Sequence, residues 1–540
     1  MESIPLNARA KVNRQELAEF VGQGRPMRLS ELQSALRAHP GVRDVAIASR
    51  EVIPGEKKLV AYVVPERNYW EQVLAGSEQE RKRLQKWRKT FDLMQFGKEA
   101  ASSAVAFNIA GWNSSYTRQP IPAEEMREWV ETTVTEILAL RPQQVLEIGC
   151  GTGLLLLRIA QHCQRYVGAD QSRAALQRLK EQLAQSTEQA ARTALLERSA
   201  DNFEGFTANS FDTVILNSVV QYFPSVTYLV RVMEQVAELT KPGGKIFVGD
   251  VRSLPLLEIY ASSVELYQAP PSLNLAELRE RVLRRLRQQD ELLLSPSFFL
   301  ALQQRFPKIS RVEIKPKRGR FDNELTRFRF NVVLSVGAPA QQSIEPSWLD
   351  WSELQLTMDS VKEALEKPEC EILALKNIPN ARLQNDVLAM KEIRTSDLLR
   401  TVADVKESVV QTAAQGVLPQ TICSMADDMG FSVDWSWASM QPDGRFDALF
   451  RRIPREVTAR EPLVAWPKPA TVSDNFAHHS NTPGQANLRG MLIQELFEFI
   501  KQNLPAEMTP ADIVLVDALP PMPTGEPNLD ALSMPNTHRT

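Results

Sequence analysis

The stretch "VLEIGCGTGLLLLRIA", residues 145–160, decides the fold. Residues 145–148 form a short apolar run with a β-branched bias, the pattern of a buried parallel strand. Residues 154–160 are rich in leucine, a strong helix former. The glycines between them therefore sit at a strand-to-helix turn, where glycine accepts positive φ and lets the backbone approach a ligand closely. Their spacing argues against one common ligand class. A dinucleotide fingerprint, G-x-G-x-x-G, begun at Gly149 and Gly151 needs its third glycine at position 154. That position is Leu154, and the third glycine is Gly153. A glycine turn without any ligand is the plainer alternative, and the residues around it must decide.

Downstream, residues 165–169 read as a second strand ending in Asp170, with Gln171 next. An acidic residue about 20 positions past the glycines, at a strand's carboxyl end, can bind both ribose hydroxyls of an adenosyl group. Asp170 also reads as an N-cap for a helix beginning near Ser172, and the two roles can coexist. "RSADNF", residues 198–203, looks like a third strand end, with Asp201, Asn202 and Phe203 as candidates to bond an adenine amino group and cover its ring. The same fragment also reads as a plain loop. Residues 213–216 form a fourth strand running into Asn217 and Ser218, and "KPGGKIFVGDVRS" (241–253) is a turn followed by a fifth strand ending at Asp250. Strands alternating with helices predict an α/β fold with a doubly wound, mostly parallel sheet and its ligand over the strands' carboxyl ends. Upstream, Trp112 and Tyr116 lie in an aromatic-rich and amide-rich segment that can cap such a ligand, though Trp112 equally suits a core. Near residue 320, the basic cluster Lys315, Lys317, Arg318 and Arg320 precedes Asp322, Asn323 and Glu324 at a strand entrance.

The 540 residues exceed one core, so two to four domains are expected. A net charge of −3 gives no support for nucleic-acid binding. No apolar run approaches the ~20 residues of a membrane span, and the N-terminus lacks the apolar core of a signal peptide. Four scattered cysteines form no C-x-x-C pair or disulfide framework, which points to a reduced, cytoplasmic setting without membrane attachment. Of five histidines only His162 lies near the glycine turn, so neither a metal site nor a Ser/His/Asp triad is expected. Chemistry here must lean on carboxylates, amides, tyrosines and a bound cofactor.

Glu-x-Gly-x-Gly-x-Gly closing a first strand resembles the S-adenosylmethionine site of class I methyltransferases, with a Rossmann-like core. The segments "FNIAGWNSSYTRQPIP" (107–122), "ILNSVVQYFP" (215–224), "FVGDVRSLPLLE" (247–258) and "KRGRFDNELTRFRF" (317–330) sharpen this. Together with the glycine turn they closely resemble methyltransferase domains of nonribosomal peptide synthetases. "WLDW" (348–351) and "IPNARL" (378–383) carry the similarity toward "FDALFRRIP" (446–454). "GADQS" stands where that family more often shows "GTDFS", with Asp170 retained. The resemblance implies a methyltransferase core over 95–340 and an accessory subdomain over 341–460. It implies S-adenosylmethionine as cofactor and S-adenosylhomocysteine as product. Glu147, Gly149, Gly151, Gly153, Asp170, Gln171, Asp201, Asn202, Phe203, Asn217 and Ser218, with Trp112 and Tyr116, are then the expected cofactor-binding set.

Residues 29–65 resemble the eighth core motif region of an adenylation domain, and 493–532 its ninth and tenth motifs. The methyltransferase is thus expected to interrupt a small α+β adenylation C-lobe, split into 29–66 and 486–540. Residues 1–28 are expected as a leader or linker, with further linkers around 66–95 and over 466–485. Glu526 stands where the tenth motif normally carries a lysine that contacts ATP and carboxylate, so adenylation by this copy is not expected. "IPLNARAKVNRQEL" (4–17) resembles the same motif, with Lys11 at that place; it reads equally as the tail of an upstream domain or as chance. Inserts at this point mostly methylate backbone nitrogen. The implied substrate is an aminoacyl thioester on the phosphopantetheine arm of a peptidyl carrier protein, among other synthetase modules. Asn217, Gln221, Tyr222, Asn323 and Glu324 are the candidates to orient the amine and receive its proton. Side-chain O-methylation, which would demand Asp250 or Glu324 as a base raised in pKa by burial, and a non-catalytic docking role remain the alternatives.

Overall fold

The computed structural model of the chain describes residues 29–53, 56–66, 69, 73, 75–96, 107–337, 343–412, 416–439, 441–453, 463–520 and 528. Lys11 and Glu526 lie outside the described residues. The chain separates into two compact units, one from 1–74 with 484–540 and one from 75–483.

The larger unit is built on a seven-stranded sheet. Its strands are β1 (Gln144–Ile148), β2 (Arg165–Asp170), β3 (Thr193–Glu197), β4 (Phe211–Asn217), β5 (Thr240–Arg252), β6 (Ile309–Pro316) and β7 (Arg329–Val336), in the order β3-β2-β1-β4-β5-β7-β6. The first five run parallel; β7 is antiparallel to both β5 and β6. This is the Rossmann-like, doubly wound, mostly parallel sheet expected of a class I methyltransferase. Parallel strands covered on both faces read as continuous apolar runs. Accordingly Val145 and Leu146 of β1 and Val214, Ile215 and Leu216 of β4 are all fully buried, each contributing roughly 1.5–3 kcal/mol. Two of the βα connections are closed by a side-chain cap: Ser172 and Ser225 accept the amides of Ala175 and Tyr228 and start helices Arg173–Leu183 and Val226–Leu239. Ser172, rather than Asp170, is the N-cap. The third strand ends at Glu197, before "RSADNF", which is a loop.

A second sheet in this unit orders strands Trp348–Asp350, Ile372–Ile378, Phe446–Arg452 and Phe431–Ser436. Its Leu373, Phe446 and Phe450 share one apolar core with Ile314 and Phe330 of the main sheet. The Trp437 amide donates to the Ile314 carbonyl at 3.1 Å.

Two expected linkers are instead structured. Residues 78–96 form a 19-residue helix. Its stripe of Leu84, Trp87, Phe91 and Met94, spaced 3, 4 and 3, faces a cavity of the unit. Within 466–485, His479 is buried and takes part in hydrogen bonds with Ser297 Oγ and the Ser473 carbonyl, both 2.8 Å. A polar composition read as loop in both places because the apolar partners come from distant chain.

In the smaller unit, strand Val42–Ile53 pairs antiparallel with Glu56–Pro65, and Asp512–Leu515 joins the latter in parallel. Leu32 and Leu36 of helix Leu29–Ala38 pack with Leu488, Leu492, Leu496 and Ile500 of helix Gln485–Asn503 over Val45, Ala61 and Val63. Segments more than 400 positions apart thus complete one α+β core.

Candidate active site

The glycine turn occupies the carboxyl end of β1, and all three glycines have φ between +52° and +82°. A Cβ on Gly149 would lie 2.6 Å from Val219 and one on Gly153 2.4 Å from Leu179, so these two are needed for packing as well as conformation. A Cβ on Gly151 would meet only Phe91, at 3.5 Å, across the cavity.

Two adjoining cavities share Phe91, Met94, Gly149, Gly151, Ser218 and Tyr222. One, of about 160 Å³, is lined further by Asp170, Gln171, Ser172, Arg198 and the helix 78–96 stripe. The other, of about 280 Å³, is lined further by Trp112, Ser115, Glu147, Asn217, Arg252, Tyr260, Glu291, Glu324 and Arg329.

Two carboxylates form the floor. Asp170 accepts the Gly151 and Ser172 amides, both at 2.8 Å. Burial raises its pKa, against the pull of those amides. Glu147 accepts the Tyr166 hydroxyl at 2.8 Å, and burial pushes its pKa up to about 7. Neither has an ion-pair partner among the described residues. A buried carboxylate without a cation, such as Glu147, is costly, and a ligand carrying positive charge would relieve it and the half-buried Asp170 alike.

Asn217, at the end of β4, is buried with its Oδ1 lacking any hydrogen-bond partner. A Cβ on Gly249 would fall 2.1 Å from that oxygen, so only glycine leaves it room. Glu324 is held by three donors: the Ser115 amide at 2.8 Å, Ser115 Oγ at 2.9 Å and Ser114 Oγ at 3.4 Å. Tyr260 braces Ser115 in turn, at 2.6 Å. Burial pushes the Tyr222 phenol up to about 12, which keeps it neutral and able to donate.

Several expected roles are not met. Asp250 is fully buried, receiving Trp129 Nε1 at 3.0 Å, Lys317 Nζ at 3.1 Å, Ser218 Oγ at 2.5 Å and Arg329. Although burial opposes its charged form, Arg329 and Lys317 hold its pKa well below the usual carboxylate range. It is therefore no base at neutral pH, which corrects the expectation that burial would raise it. Asn323 lies outside both cavities. Its side chain caps the helix Glu324–Phe328 and donates to Glu125 at 2.6 Å, so it positions Glu324 rather than substrate. Gln221 is buried and lines neither cavity. Asp201, Asn202 and Phe203 line neither cavity; Asp201 and Asn202 are exposed, and Ala200 and Arg198 take the place expected for them. Tyr116 lines a neighbouring groove, its hydroxyl 2.8 Å from Ser263 Oγ. Of the basic cluster, Lys317 is consumed by Asp250 and by the Trp129 ring 5.0 Å away.

Sequence reasoning missed the helix 78–96 stripe, whose spacing alone could have revealed it. It also missed Arg252, Glu291 and Arg329, for which no local signal exists. The residues present fit S-adenosylmethionine: a carboxylate at the end of β2, a glycine opening toward the cavity, carboxylates without an ion-pair partner among the described residues, and an unpartnered amide oxygen on Asn217.

Comparison with known proteins agrees with this geometry. Residues 146–246 match a family model described as a methyltransferase domain. The chain is 38% identical over 531 residues to chondramide synthase cmdD of Chondromyces crocatus, covering 96% of this chain and 13% of that protein. It is 31% identical over 505 residues to a probable non-canonical nonribosomal peptide synthetase, CymA, of Salinispora arenicola, covering 94% of this chain and 6% of that one. The chain thus spans a small part of the length of the curated relatives it matches. It carries an S-adenosylmethionine-dependent methyltransferase domain of the kind associated with nonribosomal peptide synthetases.

Proposed function

We propose that this chain methylates the α-amino nitrogen of an amino acid held as a thioester on a peptidyl carrier protein, in the cytoplasm, among other synthetase modules. The flanking α+β unit is read as an adenylation C-lobe that does not itself adenylate, on the strength of Glu526. One observation carries the proposal. Glu324, the unpaired Asn217 oxygen and the neutral Tyr222 phenol line the same cavity as the glycine turn. These are two acceptors and one donor, the set an amine and its adjacent carbonyl require.

Bound S-adenosylmethionine would supply a methyl group on a sulfonium. Gly149, Gly151, Asp170, Gln171 and Ser218 would hold it, with Glu147 beneath. Asn217 and Glu324 then accept the amine's hydrogens and fix its lone pair, an alignment that can supply roughly 7–11 kcal/mol of a barrier. Trp112, Phe91 and Phe328 exclude water from the cavity. A thioester carbonyl withdraws charge from the amine, so a good fraction is neutral near pH 7 and no strong base is needed. Glu324 receives the proton that the methylated nitrogen sheds. A hydroxyl acceptor would need a true base, and Asp250 is unable to serve.

Incubation with S-adenosylmethionine and aminoacyl-loaded carrier, followed by tandem mass spectrometry, is expected to place the methyl on the α-nitrogen. Methyl on a side-chain oxygen would establish O-methylation instead. Absence of S-adenosylhomocysteine binding in calorimetry would favour the docking role. A Gly151→Arg/Asp170→Ala double variant is expected to lose transfer; full activity in it would overturn the assignment of this site.

A further inference from the structure

Beside the acceptor cavity lies a second, larger groove of about 1000 Å³. The two meet at Arg252 and Tyr260, which line both. Five guanidiniums, from Arg118, Arg252, Arg281, Arg284 and Arg285, face this groove against the single carboxylate of Glu265. Glu265 is taken by Arg285 Nε at 2.6 Å, and Arg252 is paired with Glu291. Arg118 bonds only the neutral Gln268 amide, at 3.2 Å. Arg281 and Arg284, one helical turn apart on the helix Leu275–Arg287, have no hydrogen-bond or ion-pair partner among the described residues. A chain with net charge −3 thus gathers uncompensated positive charge at the mouth of its active site.

The same groove is also lined by aromatic rings. Tyr116 and Tyr267 pack edge to face, 5.6 Å between ring centroids, and Tyr267 is 56% exposed. Tyr260 follows at the junction, with Arg252 4.9 Å above its ring. The groove therefore combines free guanidiniums with tyrosine rings and meets the acceptor cavity at Arg252 and Tyr260. That combination suits a ligand with an anionic head and a flexible, mostly apolar and amide-bearing tether. Guanidinium recognises phosphate through paired, charge-assisted hydrogen bonds.

We propose that this groove is the seat of the substrate's tether: Arg281 and Arg284 bind the phosphate of a phosphopantetheine arm, which runs past Tyr267 and Tyr260 and delivers its acyl end to Asn217 and Glu324. The inference rests on the reading of the substrate as a carrier-bound thioester and adds the residues that select it. Arg281 and Arg284 are specificity residues; neither lines the cavity of the reaction.

The test uses the full chain and free ligands. Calorimetry with S-adenosylhomocysteine present compares 4′-phosphopantetheine with dephosphorylated pantetheine, and a mass-spectrometric assay compares aminoacyl thioesters of the two. The phosphorylated forms are expected to bind and react about tenfold better, as charge-assisted contacts allow. An Arg281→Ala/Arg284→Ala double variant is expected to erase that preference. S-adenosylhomocysteine affinity and turnover of the dephosphorylated thioester should stay unchanged. Inorganic phosphate at equal concentration is expected not to compete; full competition by it would show a simple anion site and overturn the proposal. Equal binding of the two pantetheines, or a preference that survives in the double variant, would overturn it as well. Arginine-dependent phosphopantetheine binding with neither thioester methylated would uphold the groove and reject the acceptor instead.

Discussion

At the scale of single residues, Asp250 is the most heavily committed side chain in the site. It holds Arg329, Lys317, Trp129 and Ser218 at once, from a backbone φ of +61° beside Ser218 at +53°. Two adjacent non-glycine residues in the left-handed region store roughly 1–3 kcal/mol each, and the buried charge network keeps them there. Asp250→Asn leaves two cations facing a neutral amide. It is expected to lower stability by about 3–5 kcal/mol, read as a lower midpoint in urea unfolding. Glu147 makes the opposite contribution. Its folded pKa, near 7, exceeds its ordinary value of 4.5, so between those values the native state holds more protons than the unfolded one. Stability must then fall as pH rises from about 4.5 to 7 and level off above. Asp170, also raised by burial, contributes a slope of the same sign above its ordinary value of 3.8. Glu147→Gln is expected to flatten that slope, gaining about 2–3 kcal/mol at pH 8 relative to pH 4.5. Denaturant titrations across pH check this. Both residues were visible in the sequence as acidic groups at strand ends. Their opposite titration was not, because it depends on which cations the folded chain brings within reach.

At the scale of elements, the helix Glu78–Phe96 roofs the cleft whose floor is the glycine turn. Phe91 lines both cavities and packs against Phe96 at 6.5 Å. Asp92 receives Ser172 Oγ at 2.5 Å, tying the roof to the helix after β2. Phe91→Ala is expected to weaken S-adenosylhomocysteine binding about tenfold by loss of aromatic contact, measured by calorimetry, with the helical circular dichroism preserved. Strand positions were legible because parallel strands bury both faces and so must be apolar throughout: β1, β2 and β4 differ from the sequence reading by one or two residues at their ends, while β5 starts at Thr240 and takes in 242–244, which read as a turn. Helix 78–96 was obscured by its charge: its apolar stripe is narrow, and polar residues such as Glu80 and Asp92 that also meet the body of the unit do so through partners distant in the chain. Arg252 and Arg329 were illegible for another reason. They face the same cavity because β7 inserts antiparallel beside β5, pairing Arg252 with Arg329, and long-range register leaves no local mark.

At the scale of the whole molecule, each unit closes its own core. Every residue lining the two adjoining cavities belongs to 75–483. That segment expressed alone is expected to bind S-adenosylhomocysteine within about threefold of the full chain; calorimetry on the two proteins decides. The smaller unit has the reverse dependence. Leu32 and Leu36 share their core with Leu488, Leu492, Leu496 and Ile500, so 29–74 alone loses much of that core and is expected to remain unfolded by circular dichroism. Among the described residues no helix is long and apolar enough to cross a membrane.

The sequence by itself determined the strand–glycine–helix turn, the acidic residue that ends β2 and the alternation that makes a parallel sheet. All three follow from local rules: glycine's access to positive φ, and the need of doubly covered strands to be apolar. Only the tertiary structure decided which carboxylates stay available. It spent Asp250 on an ion-pair network, turned Asn323 into a cap and left Glu147, Asp170 and Glu324 lining the cleft. Charge state is set by neighbours a few ångströms away in space, and those neighbours lie tens to hundreds of residues away in the chain.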